Sequence, residues 1–400
     1  MRWKNKGHEF DEIARPLVEA DTAYFYGCGK FAEEISIVLE RMKAYIGWKI
    51  LFIDRDEEKQ KRGFHGWNVI SPNEFVKQDK GNFIVVNCVL AEQGEEIKDF
   101  LISQKIPIKN IYSGWDFICR YFSIYFLYAV NKVFFPSQSI VPTTVCNLNC
   151  RDCLNFTPYI KNHMIRELKT VKRDVDLFFK AVDYIYRFQI TGGEPLLYKN
   201  LQKLLIYIDE HYREKILRLE LVTNGTVMPT DEFLAFLKDR NIFVFLDDYT
   251  MSLPEKQRKC HAEVKAKLKA HDIAFSDNYV EKWFRLYTPE NLPNKKSDEE
   301  LVGMFTRCAI PWSSIEGGAI TACNYSLYAE KAGVLLWSDY RGNDFFSLSE
   351  YSPKMKHELV EFRLGFNERG YVSLCEKCNG FCSINPATVK PAIQAKRQNL

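Results

Sequence analysis

The chain has 400 residues, 46% of them hydrophobic, a formal net charge of +3 and twelve cysteines. That length predicts two or three domains with ample cores, and the near-neutral charge argues weakly against a nucleic-acid enzyme, which would usually show a basic face. Met1–Asp11 is polar and charged rather than a signal peptide, so a cytoplasmic protein is expected, with cysteines serving as metal or cluster ligands instead of disulfides.

Residues 1–120 carry βαβ periodicity. Ala23-Tyr24-Phe25-Tyr26 reads as a strand and runs into Gly27-Cys28-Gly29-Lys30-Phe31-Ala32, a GxGxxA turn. Gly27 and Gly29 permit a tight turn and close approach of backbone to a phosphate. Phe31, Ile35, Val38, Leu39 and Met42 then recur at helical spacing. Lys49–Ile53 is a second strand ending at Asp54, where an acidic residue commonly meets a ribose hydroxyl. Phe83–Asn87 is a third strand, followed by a helix over Glu95–Gln104. The region resembles the Rossmann-like domains fused to bacterial enzymes that modify or transfer nucleotide-linked sugars. Gly27, Gly29 and Asp54 are its candidate nucleotide contacts; the other reading is a scaffold that binds nothing.

Trp115–Phe135 is the most apolar stretch, interrupted by Arg120, Asn131 and Lys132, and too short to span a bilayer. It predicts a linker helix over 121–137, buried between domains or resting on a membrane surface as a weak contact.

Residues 138–300 alternate strands and helices, which predicts an α/β domain with a mostly parallel sheet. Ser139–Val145 reads as its first strand. Asp174–Arg187 reads as a helix, Phe188–Thr191 as a strand, Leu201–His211 as a helix, Leu217–Thr223 as a strand, Asp231–Arg240 as a helix and Ile242–Leu246 as a strand. Cys146, Cys150 and Cys153 follow the first strand at CxxxCxxC spacing. Three thiolates on one loop can hold three irons of a 4Fe–4S cube and leave the fourth open for chemistry. A zinc knuckle or unligated buried cysteines are the plain alternatives. Thr191-Gly192-Gly193-Glu194-Pro195 and Val222-Thr223-Asn224-Gly225 stand at two later strand ends. The lysines of Pro254–His271 read as a solvated helix face.

These three motifs, in this order, resemble those of the radical S-adenosylmethionine (radical SAM) enzymes. The resemblance implies a partial (β/α)6 barrel with ligands at the strand C-terminal ends. It implies that the open iron chelates S-adenosylmethionine and that one electron yields a 5′-deoxyadenosyl radical, which removes a hydrogen atom from substrate. Gly192 and Gly193 would let backbone approach the methionyl group. Glu194 would accept from its ammonium, and Asn224, with Thr223, would bond ribose or carboxylate. An external flavodoxin- or ferredoxin-type reductant is implied. In this family an aromatic residue usually precedes the third cysteine; here it is Asp152, which puts the local adenine contact in doubt.

In residues 301–400, Cys308, Gly318 and Cys323 form Cx9Gx4C, and Cys375 and Cys378 form CxxC with Cys382 four positions on. The pattern resembles the auxiliary-cluster extensions called SPASM and, when shorter, Twitch. Five cysteines fit one auxiliary 4Fe–4S cluster, on Cys308, Cys323, Cys375 and Cys378, with Cys382 buried, an alternative ligand or a hydrogen donor. A four-cysteine zinc site is the other reading. After Ala387 the chain is polar and reads as a loosely packed tail.

The expected function is radical oxidation, epimerisation or dehydration of a sugar-type small molecule or glycan, nucleotide- or lipid-linked. The alternative is a peptide- or protein-modifying SPASM-type maturase. A non-catalytic iron–sulfur carrier would need neither the Gly-Gly-Glu-Pro turn nor Asn224.

Overall fold

The computed structural model describes residues 1–90, 92–287, 296–308, 312–336, 343–381 and 384–395. The chain divides into two compact units, residues 8–136 and residues 1–7 with 137–400.

The smaller unit contains a five-stranded parallel sheet: β1 (Thr22–Tyr26), β2 (Lys49–Ile53), β3 (Val69–Ile70), β4 (Phe83–Asn87) and β5 (Ile111–Ser113), in the order β3-β2-β1-β4-β5. Tyr24, Tyr26, Leu51, Ile53 and Val85 fill one face together with Phe75 and Leu101. The near-continuous apolar strands are what a sheet covered on both faces requires. The aromatic run does not form one helix to Phe135. A helical stretch over residues 114–130 includes two wide π turns, Phe117–Tyr121 and Phe126–Val130, and stops at Asn131 in a left-handed conformation with φ of 56°. Phe134 and Phe135 already belong to the next strand. The rings of Phe117, Phe122 and Phe126 are buried, so the face that could have rested on a membrane lies in a protein core. No described helix is long and apolar enough to cross a membrane.

The larger unit is built on β6 (Phe134–Ile140), β7 (Tyr184–Ile190), β8 (Ile216–Thr223), β9 (Phe243–Asp248), β10 (Phe275–Tyr279), β11 (Trp283–Phe284), β12 (Ser314–Glu316), β13 (Ala319–Thr321), β14 (Phe345–Ser347) and β15 (Thr388–Val389). Eight of these make one sheet in the order β10-β9-β8-β7-β6-β12-β13-β14, while β11 pairs with β15. The pairs β7–β8, β8–β9, β9–β10 and β6–β12 are parallel; β12–β13 and β13–β14 are antiparallel. The sheet is therefore mixed, and as a barrel it is open, with β10 and β14 as its edges.

Several boundaries differ from the sequence reading, among them the start of the helix read at Glu95–Gln104, which spans Glu92–Ser103. The helix read at Asp174–Arg187 runs over Leu168–Ala181, and Tyr184–Arg187 opens β7. Val182 and Ile185 suited a helical period, but Tyr184-Ile185-Tyr186 is aromatic and β-branched and prefers a pleated surface. The strand read at Ser139–Val145 is β6 and ends at Ile140. Pro142 cannot donate to a ladder, and residues 143–145 bond a neighbouring turn instead.

Asp174 fastens the antiparallel arm to the core. Its carboxylate pairs with the buried guanidinium of Arg166 and accepts the N–H groups of Gly317 and Gly318 at 2.9 and 2.8 Å. Gly318, the glycine of the Cx9Gx4C pattern, has φ of +75°, and a Cβ there would lie 2.3 Å from Ser349 Oγ.

Candidate active site at the cysteine loop

The loop after β6 carries Cys146, Cys150 and Cys153, with Cys150 buried and the other two half-buried. Leu148, Leu253, Trp283 and Ala392 pack around them. Each sulfur has a donor or hydroxyl partner. Cys146 Sγ accepts from the Leu148 N–H at 3.4 Å and the Asn224 amide at 3.7 Å. Cys150 Sγ accepts from the Gln394 amide at 3.4 Å, and Cys153 Sγ lies 3.3 Å from Thr157 Oγ1. Burial pushes the Cys146 thiol up to about 12 and Cys150 higher still, and neighbouring thiols add to both shifts. A buried trio of this kind favours its thiolates only when a cationic group replaces the protons. The three sulfurs share one loop and one apolar cluster, each with a donor or hydroxyl partner, which is the ligand set that a cluster held by three cysteines would use, although they do not converge on a single point here.

The Gly-Gly-Glu-Pro turn is pressed onto the chain that leads into Cys146. Gly193 N–H donates to Thr143 O at 3.0 Å, and Glu194 N–H to Val145 O at 2.8 Å. A Cβ on Gly192 would lie 2.2 Å from Thr143 O, and one on Gly193 2.2 Å from Val145 O. These glycines are thus required by packing of backbone on backbone, a reason separate from the approach to a ligand that the motif implies.

Glu194 also has partners within the protein itself. Its carboxylate is fully buried; Oε1 accepts from Leu196 N–H at 3.1 Å and Thr223 Oγ1–H at 2.9 Å, and Oε2 from Asn224 N–H at 2.9 Å. The side chain ties the turn after β7 to the end of β8, so its oxygens are engaged before any ammonium arrives. Thr223 serves the same bracket. Asn224 then reaches the cysteine loop: its amide donates to Asn147 Oδ1 at 3.1 Å, and its Oδ1 accepts from Thr226 Oγ1–H at 2.6 Å. Asn147 completes the circuit by donating to Thr226 Oγ1 at 2.7 Å. Asn147, Thr226 and Thr157 carry no motif of their own. Their only sequence signal is adjacency to the cysteines and to Asn224.

Asp152 is held by guanidinium groups, accepting from Arg285 Nε at 2.7 Å and Arg151 Nε at 2.9 Å. These residues line a small cavity with Cys153, Phe156, Tyr159 and Tyr287. At the end of β9, Asp247 accepts from the Asn278 amide at 2.8 Å.

Burial raises Glu194 to about 7 and Asp247 and Asp344 to about 6, against the pull of their hydrogen bonds. An acid whose folded value lies above its unfolded value holds its proton longer when folded. Its contribution is intact below the unfolded value and is lost as pH rises through the folded one. The cluster-free protein should therefore melt at a lower temperature at about pH 7.5 than at about pH 5. Asp247→Asn should flatten that decline in a pH series of thermal melts; an unaltered slope would contradict the assignment.

The C-terminal cysteines also meet. Cys323, Cys375 and Cys378 are buried in one apolar core, and half-buried Cys308 packs against it. Burial raises the Cys375 thiol well above its ordinary value, and Cys378, Cys323 and Cys308 add to the shift in that order. Gly380 N–H donates to Cys378 Sγ at 3.2 Å. Among the described residues no three His, Cys, Asp or Glu side chains converge on the geometry of a single metal ion. The thiols are neighbours here, not a closed tetrahedron. Cys382 lies outside the described residues.

In the smaller unit, Gly27 has φ of +93° and a Cβ there would lie 2.5 Å from Val89 Cγ2. Asp54, expected at a ribose, bonds its own loop. It accepts the Cys28 N–H at 2.7 Å and the Asp56 N–H at 3.0 Å, and Lys59 Nζ stands 3.7 Å away. Gly29 caps the helix Lys30–Met42 with open space around its Cα.

Residues 140–274 match the family model of the Radical SAM superfamily. The chain carries a radical SAM domain, and the cysteine loop, the Gly-Gly-Glu-Pro turn and Asn224 all lie inside it. An uncharacterized protein of Methanocaldococcus jannaschii is 34% identical over 87 residues, covering 22% of this chain and 29% of that protein. The match thus spans less than a third of that relative. Among solved structures, native anSMEcpe with bound AdoMet is similar at 22% identity, over 35% of this chain and 42% of that chain, with a TM-score of 0.30. BtrN in complex with AdoMet and 2-DOIA is similar at 18% identity, over 61% of this chain and 92% of that chain, with a TM-score of 0.34.

Proposed function

We propose that this protein is a radical SAM enzyme that abstracts hydrogen from a sugar-type substrate, nucleotide- or lipid-linked. The observation that carries the first part is the gathering of the Cys146, Cys150 and Cys153 thiols beside the Gly-Gly-Glu-Pro turn and Asn224, within the span of the family match. A 4Fe–4S cluster held by Cys146, Cys150 and Cys153 would, once given one electron by an external reductant, cleave S-adenosylmethionine to methionine and a 5′-deoxyadenosyl radical. The chain's own part is to hold that centre in place. Glu194 locks the two strand-end turns together, Asn224 and Asn147 orient the loop around Cys146, and the apolar collar of Leu148, Leu253 and Trp283 keeps water back.

The sugar reading draws on the smaller unit, whose parallel order with a glycine turn after the central strand makes it Rossmann-like. Phosphate recognition would fall to Gly29 and the N-terminus of the helix Lys30–Met42, while Asp54 accepts from its own loop. Cys308, Cys323, Cys375 and Cys378 are assigned to an auxiliary cluster in a SPASM- or Twitch-like region. Cys375→Ala should then remove about four irons per chain; a loss of zinc at constant iron would make the site zinc.

The substrate test is 5′-deoxyadenosine formation with and without a panel of nucleotide sugars. Strong stimulation by one of them is the expected result. Stimulation only by a peptide would replace the sugar reading with a peptide-modifying one.

A further inference from the structure

The segment after Ala387, which composition marks as a loose tail, is bound to the cysteine loop. Thr388 and Val389 pair antiparallel with Phe284 and Trp283. Farther on, Arg151 N–H donates to Ile393 O at 2.7 Å, Ala395 N–H donates to Asn149 O at 2.7 Å, and Cys150 and Gln394 stand opposite each other as an antiparallel pair. Ala392 is fully buried in this seam at φ of 53°.

Gln394 uses both ends of its amide. Its Oε1 accepts the Asn149 N–H at 2.8 Å, and its Nε2 donates to Cys150 Sγ at 3.4 Å and to Ala392 O at 2.7 Å. A backbone N–H can only donate, so the Asn149 bond fixes which end is oxygen and turns the NH₂ toward sulfur. Cys146 and Cys153 draw partners from Leu148, Asn224 and Thr157. The side-chain donor to Cys150 comes from 244 residues farther along the chain.

We propose that residues 388–395 form a strap that completes the cysteine loop and sets the reduction potential of the cluster it holds, through the Gln394 amide on Cys150. The inference rests on reading the three cysteines as cluster ligands. An N–H on a ligating sulfur draws off negative charge and favours the state with the extra electron, which raises the potential. Gln394 acts through Cys150 and is a positioning residue.

The test uses full-length Gln394→Glu and Gln394→Leu, anaerobically reconstituted and titrated with reductant. The reading is the EPR signal that changes when S-adenosylmethionine is added. Gln394→Glu keeps an oxygen for the Asn149 N–H, so the strap stays seated, but it removes the donor and places negative charge beside sulfur. The midpoint potential should move to more negative values in both variants, and farther in Gln394→Glu, with iron per chain unchanged. Equal potentials in wild type and both variants would overturn the strap's role and leave the cluster reading standing. A wild-type chain that gives no such signal would overturn the cluster reading, and the proposal with it.

Discussion

Cys150→Ala should reduce S-adenosylmethionine cleavage to the background of protein-free controls, and Cys146→Ala and Cys153→Ala should do the same. Three ligands are the minimum that hold a cube while leaving one iron open. Removing any one would leave a cluster on two thiolates, one fewer than that minimum. The three positions are not packed alike: Cys150 is buried against the strap, whereas Cys146 and Cys153 are half-buried. Cys150→Ala should therefore also loosen the loop. On the auxiliary-cluster proposal, iron at Cys308, Cys323, Cys375 and Cys378 should survive in all three variants, because those thiols belong to a different core. Iron analysis and 5′-deoxyadenosine measurement on the same samples separate the two effects. A variant that retains wild-type cleavage would remove that cysteine from the site.

Asp174→Ala should be the most damaging single substitution for stability outside the cysteines. The side chains of Asp174 and Arg166 are 2% and 5% exposed. Truncating one member of a buried pair strands the other charge, at a cost of about 3–5 kcal/mol, a large share of the roughly 5–15 kcal/mol that holds a domain together. The Gly317 and Gly318 N–H groups lose their acceptor as well. The arm of β12 and β13 should loosen first, since Asp174 fastens its turn to the helix Leu168–Ala181. Urea denaturation of the cluster-free protein should show a lower midpoint; a change under about 1 kcal/mol would mean that water satisfies these groups. Asp174→Asn, which keeps the shape and one acceptor, should fall between.

Local patterns in the sequence carried much of this fold. Glycine turns after strands located Gly27, Gly192 and Gly225, and the cysteine spacing located the loop, because each depends on residues adjacent in the chain. Boundaries failed where one pattern served two periods, as at Val182 and Ile185. Internal partners were not legible where a motif residue also bonds its own protein: Asp54 accepts from its own turn and Glu194 from two strand ends, and neither partner set is visible without tertiary contacts. The strap was misread for the same reason. Residues 388–395 carry no motif or clear period, and only the fold brings Gln394 beside Cys150.

The account turns on S-adenosylmethionine cleavage by the anaerobically reconstituted, reduced full-length chain, followed as 5′-deoxyadenosine by mass spectrometry. Formation of 5′-deoxyadenosine by wild type, and none above background by the Cys146→Ala, Cys150→Ala, Cys153→Ala triple variant, is the predicted result. No 5′-deoxyadenosine from iron-replete wild type, or equal amounts from wild type and the triple variant, would contradict it.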